Sequence, residues 1–295
     1  MGYRTVIIGL GRIAQYHFMG LKQTEQFSLC GVCDLKKETA DDVLWRELPF
    51  YEDYNDLLDT LRPDVAVIAT PPATHYAITK ACVVRGVMPF VEKPLAAAKE
   101  EGEKFFTDEL RGKYVPVCHT LYGPEILWLA EHMPLREIAT IRMTLCDPYA
   151  DADGHIAETY KCLGGSWLDS APNALAPLLQ WVPALEDVVV RHRYDPACGL
   201  PYSSLLKARH EKTDVVIDIA WQRGINHKQT EIEAEGKHIV IDHSAQAVVV
   251  DGKEVFKAEG DRLTQQYANF YRLYPTQVPD EKRQKEMYGV IWGNG

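Results

Sequence analysis

Arg4-Thr5-Val6-Ile7-Ile8-Gly9-Leu10-Gly11-Arg12-Ile13-Ala14 decides the fold of this chain. Arg4 to Ile8 reads as a buried strand, and a helix is expected from Ala14 through Leu21. A glycine-rich turn between strand and helix lets backbone N–H groups come close to a pyrophosphate. The helix N-terminus adds its partial positive charge. Gly9 makes the tight turn, Gly11 admits the phosphates, and Ala14 permits close helix–sheet packing; Arg12 and Ile13 complete the cradle.

The residues that follow repeat the pattern of strand and crossover helix, as in a parallel sheet. Strand two runs from Ser28 to Cys33 and ends at Asp34. A helix is expected from near Lys37 to before Pro49, and another from Asp53 until Arg62-Pro63 stops it. Val65 to Ala69 is apolar on both faces, as an inner parallel strand should be. Thr70-Pro71-Pro72 ends it, and His75 to Arg85 reads as a helix closing on Gly86. The run Val87-Met88-Pro89-Phe90-Val91 delivers Glu92-Lys93-Pro94, and Tyr114 to Cys118 is a further strand. The expected division is a dinucleotide-binding domain over residues 1–120 and a second domain over 121–295. In the second, alternating strands dominate: Ile138 to Cys146, Val188 to Tyr194, Ser203 to His210, Val215 to Trp221, Gln229 to Ala234, His238 to Asp242 and Ala247 to Val250. They imply a mostly antiparallel sheet. Its one clear helix is expected over Ala174 to Trp181, with another over Gln265 to Leu273.

Composition narrows the function. The chain has 295 residues, 46% hydrophobic and 25% charged, which fits two globular domains. A formal net charge of -10 argues against a nucleic-acid footprint. No apolar run approaches the ~20 residues of a membrane span, and the chain enters a strand at once, so a cytoplasmic protein is expected. Seven cysteines at irregular spacing fit reduced thiols. Cys30-Gly31-Val32-Cys33 lies in a strand pattern, where residues three apart face opposite ways, so no metal site is expected.

Asp34, at the end of strand two, is placed to accept the ribose hydroxyls. Its charge repels a 2′-phosphate, which favours NAD, although Lys36 and Lys37 soften that preference toward NADP. Thr70, Pro71 and His75 lie at the carboxyl end of a strand, where ligands of open α/β sheets bind. His75 reads equally as a ligand contact or a helix-start residue. Glu92 and Lys93 end the next strand, and a lysine there puts an ammonium beside a bound nicotinamide.

These motifs, Gly9-x-Gly11-x-x-Ala14, Asp34, Thr70-Pro71-Pro72-x-x-His75 and Glu92-Lys93-Pro94-Leu95, resemble the glucose-fructose oxidoreductase / inositol dehydrogenase / MocA family. Gly164-Gly165-Ser166-Trp167-Leu168-Asp169 is similar to that family's second-domain motif. The resemblance implies a Rossmann domain followed by an α/β domain with a large open sheet, through which such proteins commonly form homodimers or homotetramers. It also implies NAD(P)-dependent oxidation or reduction of sugars and polyols. One departure stands out: the family's acid/base histidine, four residues after the aspartate, is Asn173 here. Asparagine does not exchange a proton near neutral pH. Some aldose 1-dehydrogenases of the family look similar, which implies oxidation of a sugar at C1 to a lactone.

The expected chemistry follows. Lys93 hydrogen-bonds the reacting oxygen and stabilises its developing charge, and desolvation tunes its pKa. Asp169 orients the substrate, pairs with Lys93 or relays the proton, and Asn173 holds a substrate hydroxyl. Tyr122, His119 and His155 are candidate pocket residues, with a polar loop or surface role as the alternative. Two rival functions stay open: a non-catalytic NAD(P)-binding sugar or redox sensor, and a reductase of an imine or conjugated double bond.

Overall fold

The computed structural model describes residues 2–36, 43–222 and 224–293. Two compact units emerge: Met1–His119 with Leu263–Glu281, and Thr120–Arg262 with Lys282–Gly295. A linear division at 120/121 therefore leaves out one return of the chain to its first unit.

In the first unit, β1 (Tyr3–Ile8), β2 (Phe27–Cys33), β3 (Phe50–Tyr51), β4 (Val65–Ile68), β5 (Met88–Glu92) and β6 (Val115–Val117) form one sheet in the order β3-β2-β1-β4-β5-β6. All pairings are parallel. This is the doubly wound order, with its reversal between β1 and β4. Val6, Ile7, Val67 and Ile68 are buried, so the inner strands are covered on both faces, as their unbroken apolar runs require. The crossovers carry α1 (Ala14–Leu21), α2 (Tyr54–Leu61), α3 (Pro72–Val84) and the short α4 (Lys99–Gly102). The Asp53 carboxylate caps α2 by accepting the Asn55 N–H, and Gly86 takes the left-handed conformation just beyond α3. The helix expected from Lys37 falls through residue 42 outside the described residues, and 43–47 form turns.

The second unit opens with α5 (Pro124–His132). Its sheet comprises β7 (Ile138–Asp147), β8 (Glu186–Tyr194), β9 (Pro201–His210), β10 (Thr213–Trp221), β11 (His227–Ala234), β12 (Lys237–Asp242), β13 (Ala247–Val250) and β14 (Lys253–Lys257). The order is β14-β13-β12-β11-β7-β10-β9-β8. Every pairing is antiparallel except β10 with β7. One face holds Ile141, Met143, Ile217, Ile219 and Leu206 and is packed under α6 (Ser166–Trp181). That helix starts eight residues before the expected Ala174 and runs through Pro172 and Pro177. A proline removes one helical hydrogen bond. The buried face of Trp167, Ser170, Ala171, Ala174, Leu175 and Leu178 offsets that loss. The chain then returns through α7 (Arg262–Leu273), which packs in the first unit, and ends in α8 (Glu281–Gly293).

Candidate active site

The glycine turn has the shape a dinucleotide requires. Gly9 sits at φ 93°, and a Cβ there would lie 2.7 Å from the Ala69 carbonyl carbon and 2.8 Å from the Thr70 nitrogen. Only glycine fits that close approach of β1 and β4. A Cβ on Gly11 would meet nothing within 4 Å, so its backbone faces open space. No side chain caps the N-terminus of α1, and its first turn carries no acidic residue. The Ala14 and Tyr16 N–H groups donate to the Gly11 and Ile13 carbonyls (both 3.0 Å), so the helix end favours an anion chiefly through its unopposed partial positive charge. Arg12 is exposed and Ile13 half-buried in the same turn.

Asp34 stands at the end of β2 and closes the turn from the other side. Its Oδ2 accepts the Leu10 N–H at 2.8 Å, and its Oδ1 accepts the Lys36 N–H at 3.1 Å. The carboxylate is thereby fixed beside the glycine turn. Lys37, the second cation expected to temper it, lies outside the described residues.

Thr70 and Pro71 lead into α3, where the Thr74 hydroxyl lies 2.8 Å from the Pro71 carbonyl and 2.7 Å from Thr70 Oγ1. His75 is fully buried. Its Nε2 lies 2.8 Å from the Thr70 carbonyl and its Nδ1 3.1 Å from the Pro94 carbonyl. The ring ties the β4–α3 loop to the segment after β5. Burial pushes its pKa below the usual histidine value, against the opposing pull of those carbonyls and Glu92.

Glu92 and Lys93 end β5. The Glu92 carboxylate is buried, and Oε1 accepts from Tyr267 Oη at 2.5 Å and His17 Nε2 at 3.0 Å. Oε2 accepts the Lys93 N–H at 3.1 Å. His17 Nδ1 lies 2.6 Å from the Tyr271 hydroxyl, and His119 Nδ1 lies 2.8 Å from Gln266 Oε1. Burial acts to raise the Glu92 pKa. The bond from His17, the charges of His17 and His119 and the Tyr267 hydroxyl outweigh it, and the carboxyl titrates below its usual range. Burial and the Glu92 charge hold both tyrosines well above the ordinary phenol value. Sequence reasoning missed this network: the side-chain donors to Glu92, His17 and Tyr267, are 75 and 175 residues away along the chain. The available signal was the apolar stripe of α7, Tyr267, Phe270 and Tyr271, which shows a buried face without naming its partner.

In the second unit, Asp169 lies in the first turn of α6 and Asn173 one turn later, both half-buried. Residues at i and i+4 share a helix face, so carboxylate and amide point the same way. Gly165, at φ 92°, starts the helix, and a Cβ there would lie 2.6 Å from Pro201. Tyr122 is buried, and the His155 side chain is 51% exposed with Nδ1 3.3 Å from Asp195 Oδ1. Asp195 also accepts the N–H groups of Ile156 and Ala197, which hold its carboxyl well below the usual range. The loop carrying His155 is thus pinned rather than free.

Two buried polar groups of this unit escaped the sequence reading. Lys228 pairs with Asp147 (2.6 Å). Glu125 Oε1 accepts His243 Nδ1 at 3.0 Å, while His243 Nε2 lies 2.8 Å from the Thr230 hydroxyl. Cys30 and Cys33 form no disulfide; burial raises both thiols, Cys33 to about 12. Among the described residues, no group of three His, Cys, Asp or Glu side chains could hold a metal ion. No helix among them is long and apolar enough to cross a membrane.

A doubly wound sheet with a glycine turn, an acidic residue closing β2 and a lysine closing β5 defines a nicotinamide-dinucleotide-binding domain. Residues 3–112 match the oxidoreductase family with an NAD-binding Rossmann fold, that of glucose-fructose oxidoreductase, inositol dehydrogenase and MocA. That match ends at residue 112 of a chain of 295. The chain is 34% identical over 94 residues to inositol 2-dehydrogenase/D-chiro-inositol 3-dehydrogenase of Lactiplantibacillus plantarum, a match covering 30% of this chain and 27% of that protein. Over the whole length the fold is similar to that of UDP-N-acetylglucosamine 3-dehydrogenase from Acidithiobacillus ferrooxidans. The TM-score is 0.81 at 16% identity, covering 99% of this chain and 96% of the other. The WlbA dehydrogenase of Bordetella pertussis, solved with NADH and UDP-GlcNAcA, gives a TM-score of 0.78 at 16% identity, covering 100% and 95%.

Proposed function

We propose that this protein is an NAD-dependent dehydrogenase acting on a hydroxyl-bearing carbon of a sugar or polyol. The observation that carries the proposal is Lys93. It closes β5 at the carboxyl edge of the sheet, and its backbone is anchored by the buried Glu92 carboxylate. The cofactor reading fits the chain: Gly9 permits the tight turn, Gly11 leaves the backbone approachable, no side chain or acidic residue opposes the partial positive charge of the α1 N-terminus, and Asp34 is fixed to receive a ribose diol. When bound, NAD takes up or returns a hydride.

The chain's residues supply the rest. Glu92 fixes the Lys93 backbone; the Lys93 ammonium hydrogen-bonds the reacting oxygen and stabilises its charge, while the hydroxyl proton passes to the Asp169 carboxylate, which releases it to water. Asp169 and Asn173 present an acceptor and an amide from one face of α6, suited to adjacent hydroxyls. An anomeric hydroxyl is more acidic than an ordinary alcohol and makes the least demand for a histidine base. Asn173 therefore favours oxidation at C1 to a lactone. The inositol dehydrogenase relative supports the polyol class. A homodimer or homotetramer is proposed through the outer face of the eight-stranded sheet, where Leu205, Val216, Val240 and Val249 alternate with core residues and remain partly exposed. Light scattering in solution tests it.

Lys93→Ala tests the catalytic role. Turnover should be lost while NAD affinity, measured by calorimetry, stays within a few-fold. Near-normal turnover refutes the assignment.

A further inference from the structure

One end of the second unit's sheet gathers more polar chemistry than folding explains. β7 and β10 both run toward this end, which brings Asp147 opposite Trp221. β11 starts there, with Lys228 opposite Leu145, and so does β9, with Ser203 opposite Ala220. The first turn of α6 lies over the same end, since Gly165 packs on Pro201 at the start of β9. Alternation along β7 and β11 sends Leu145, Asp147 and Lys228 to the covered face, the side on which Asp169 stands.

Lys228 is 7% exposed. Its ammonium carries three protons. Asp147 Oδ1 accepts one at 2.6 Å and Asn226 Oδ1 a second at 2.9 Å. The third has no acceptor among the described residues. A buried ammonium with an unused donor is costly, and an apolar pair of similar volume would serve the fold as well. Asp169 and Arg262 are among the charges that act on Lys228, and burial lowers its pKa against the pull of Asp147. Asp147 already balances the ammonium, so its remaining N–H calls for a neutral hydrogen-bond acceptor rather than another charge.

We infer that Lys228 is a substrate-binding residue whose third N–H donates to a hydroxyl oxygen of the sugar or polyol held beside Asp169. The inference rests on the dehydrogenase reading for where substrate lies, and its test separates the two. Asp147 and Asn226 hold the ammonium in place; Asp147 is thus a positioning residue. The single change Lys228→Met leaves the Asp147 carboxylate buried and unpaired, which endangers the fold. The double variant Asp147→Asn with Lys228→Met removes both charges together and keeps the volume of each side chain. It should melt within a few degrees of the wild type and bind NAD equally.

Calorimetry of the NAD-loaded protein against aldoses and inositols, with turnover measured in parallel, gives the answer. In the double variant the dissociation constant or KM of any sugar the wild type takes should rise at least about tenfold, with kcat falling less. Unchanged sugar affinity in a folded double variant overturns the inference and leaves Lys228 a structural ion pair. A wild type that binds no member of the panel overturns it as well. Sugar binding without turnover in the wild type, lost in the double variant, would sink the dehydrogenase reading and leave this inference standing.

Discussion

Tyr267→Phe isolates the network under Lys93. The change removes one oxygen and keeps the ring, so the tilted ring contact with His17 and the close approach to Gly20 persist. What is lost is the 2.5 Å hydrogen bond to the buried Glu92 carboxylate. A hydrogen bond to a charged group contributes about 1.5–3 kcal/mol, and this one is short and shielded from solvent. His17 and the Lys93 N–H still serve the carboxylate, so the lower-middle of that range applies, about 2 kcal/mol. At about 2–4 °C per kcal/mol, the melting temperature should fall by about 4–8 °C. The carboxyl loses one of the donors holding its pKa down, and the Lys93 backbone loses rigidity, so kcat should fall more than KM for NAD rises. Differential scanning calorimetry and steady-state kinetics read both effects. A variant that melts and turns over like the wild type refutes the claim that the carboxylate depends on Tyr267.

Three further outcomes are expected. Asp34→Ser should shift the cofactor preference toward NADP by removing the charge that repels a 2′-phosphate; an unchanged ratio of kcat/KM values rejects that role. Gly9→Ala places a Cβ within 2.8 Å of the β4–α3 junction at a positive φ; the strain, on the order of 1–3 kcal/mol, should lower stability and abolish NAD binding, and binding as tight as that of the wild type would contradict it. For pH, His75 and Glu92 both have folded pKa values below their unfolded ones. The unfolded chain therefore binds more protons as pH drops, and stability should decline first below about 6.5 through His75 and again below about 4.3 through Glu92. His75→Gln should remove the first decline from a melting-temperature profile, and a profile that keeps it assigns the step elsewhere.

Local patterns made the first unit legible. Gly9, Gly11, Asp34 and Glu92-Lys93 are each set by chain direction at a strand end, and a strand end is visible in sequence as an apolar run that stops. The partners of those residues were not legible. Glu92 is satisfied by α1 and by α7, which follows the second unit's strands in sequence; an amphipathic helix shows that it has a buried face, not what it buries against. The same holds for Lys228 with Asp147, which the register of β11 on β7 brings together, and for Glu125 of α5 with His243 just after β12. The start of α6 was hidden by Pro172, a local stop signal overridden by the packing of its apolar face. The edge strand β14 was missed because Lys253, Glu254 and Lys257 leave a pattern too polar to read as a strand.

The central claim is hydride exchange between NAD and a hydroxyl-bearing sugar carbon. It is tested most directly by following the absorbance of reduced nicotinamide while the wild-type protein is offered NAD or NADP with aldoses, inositols and sugar acids in turn. The account predicts reduction of NAD in preference to NADP, with an aldose as the substrate and a lactone as the product. Tight NAD binding with no reduction across the whole panel would contradict it.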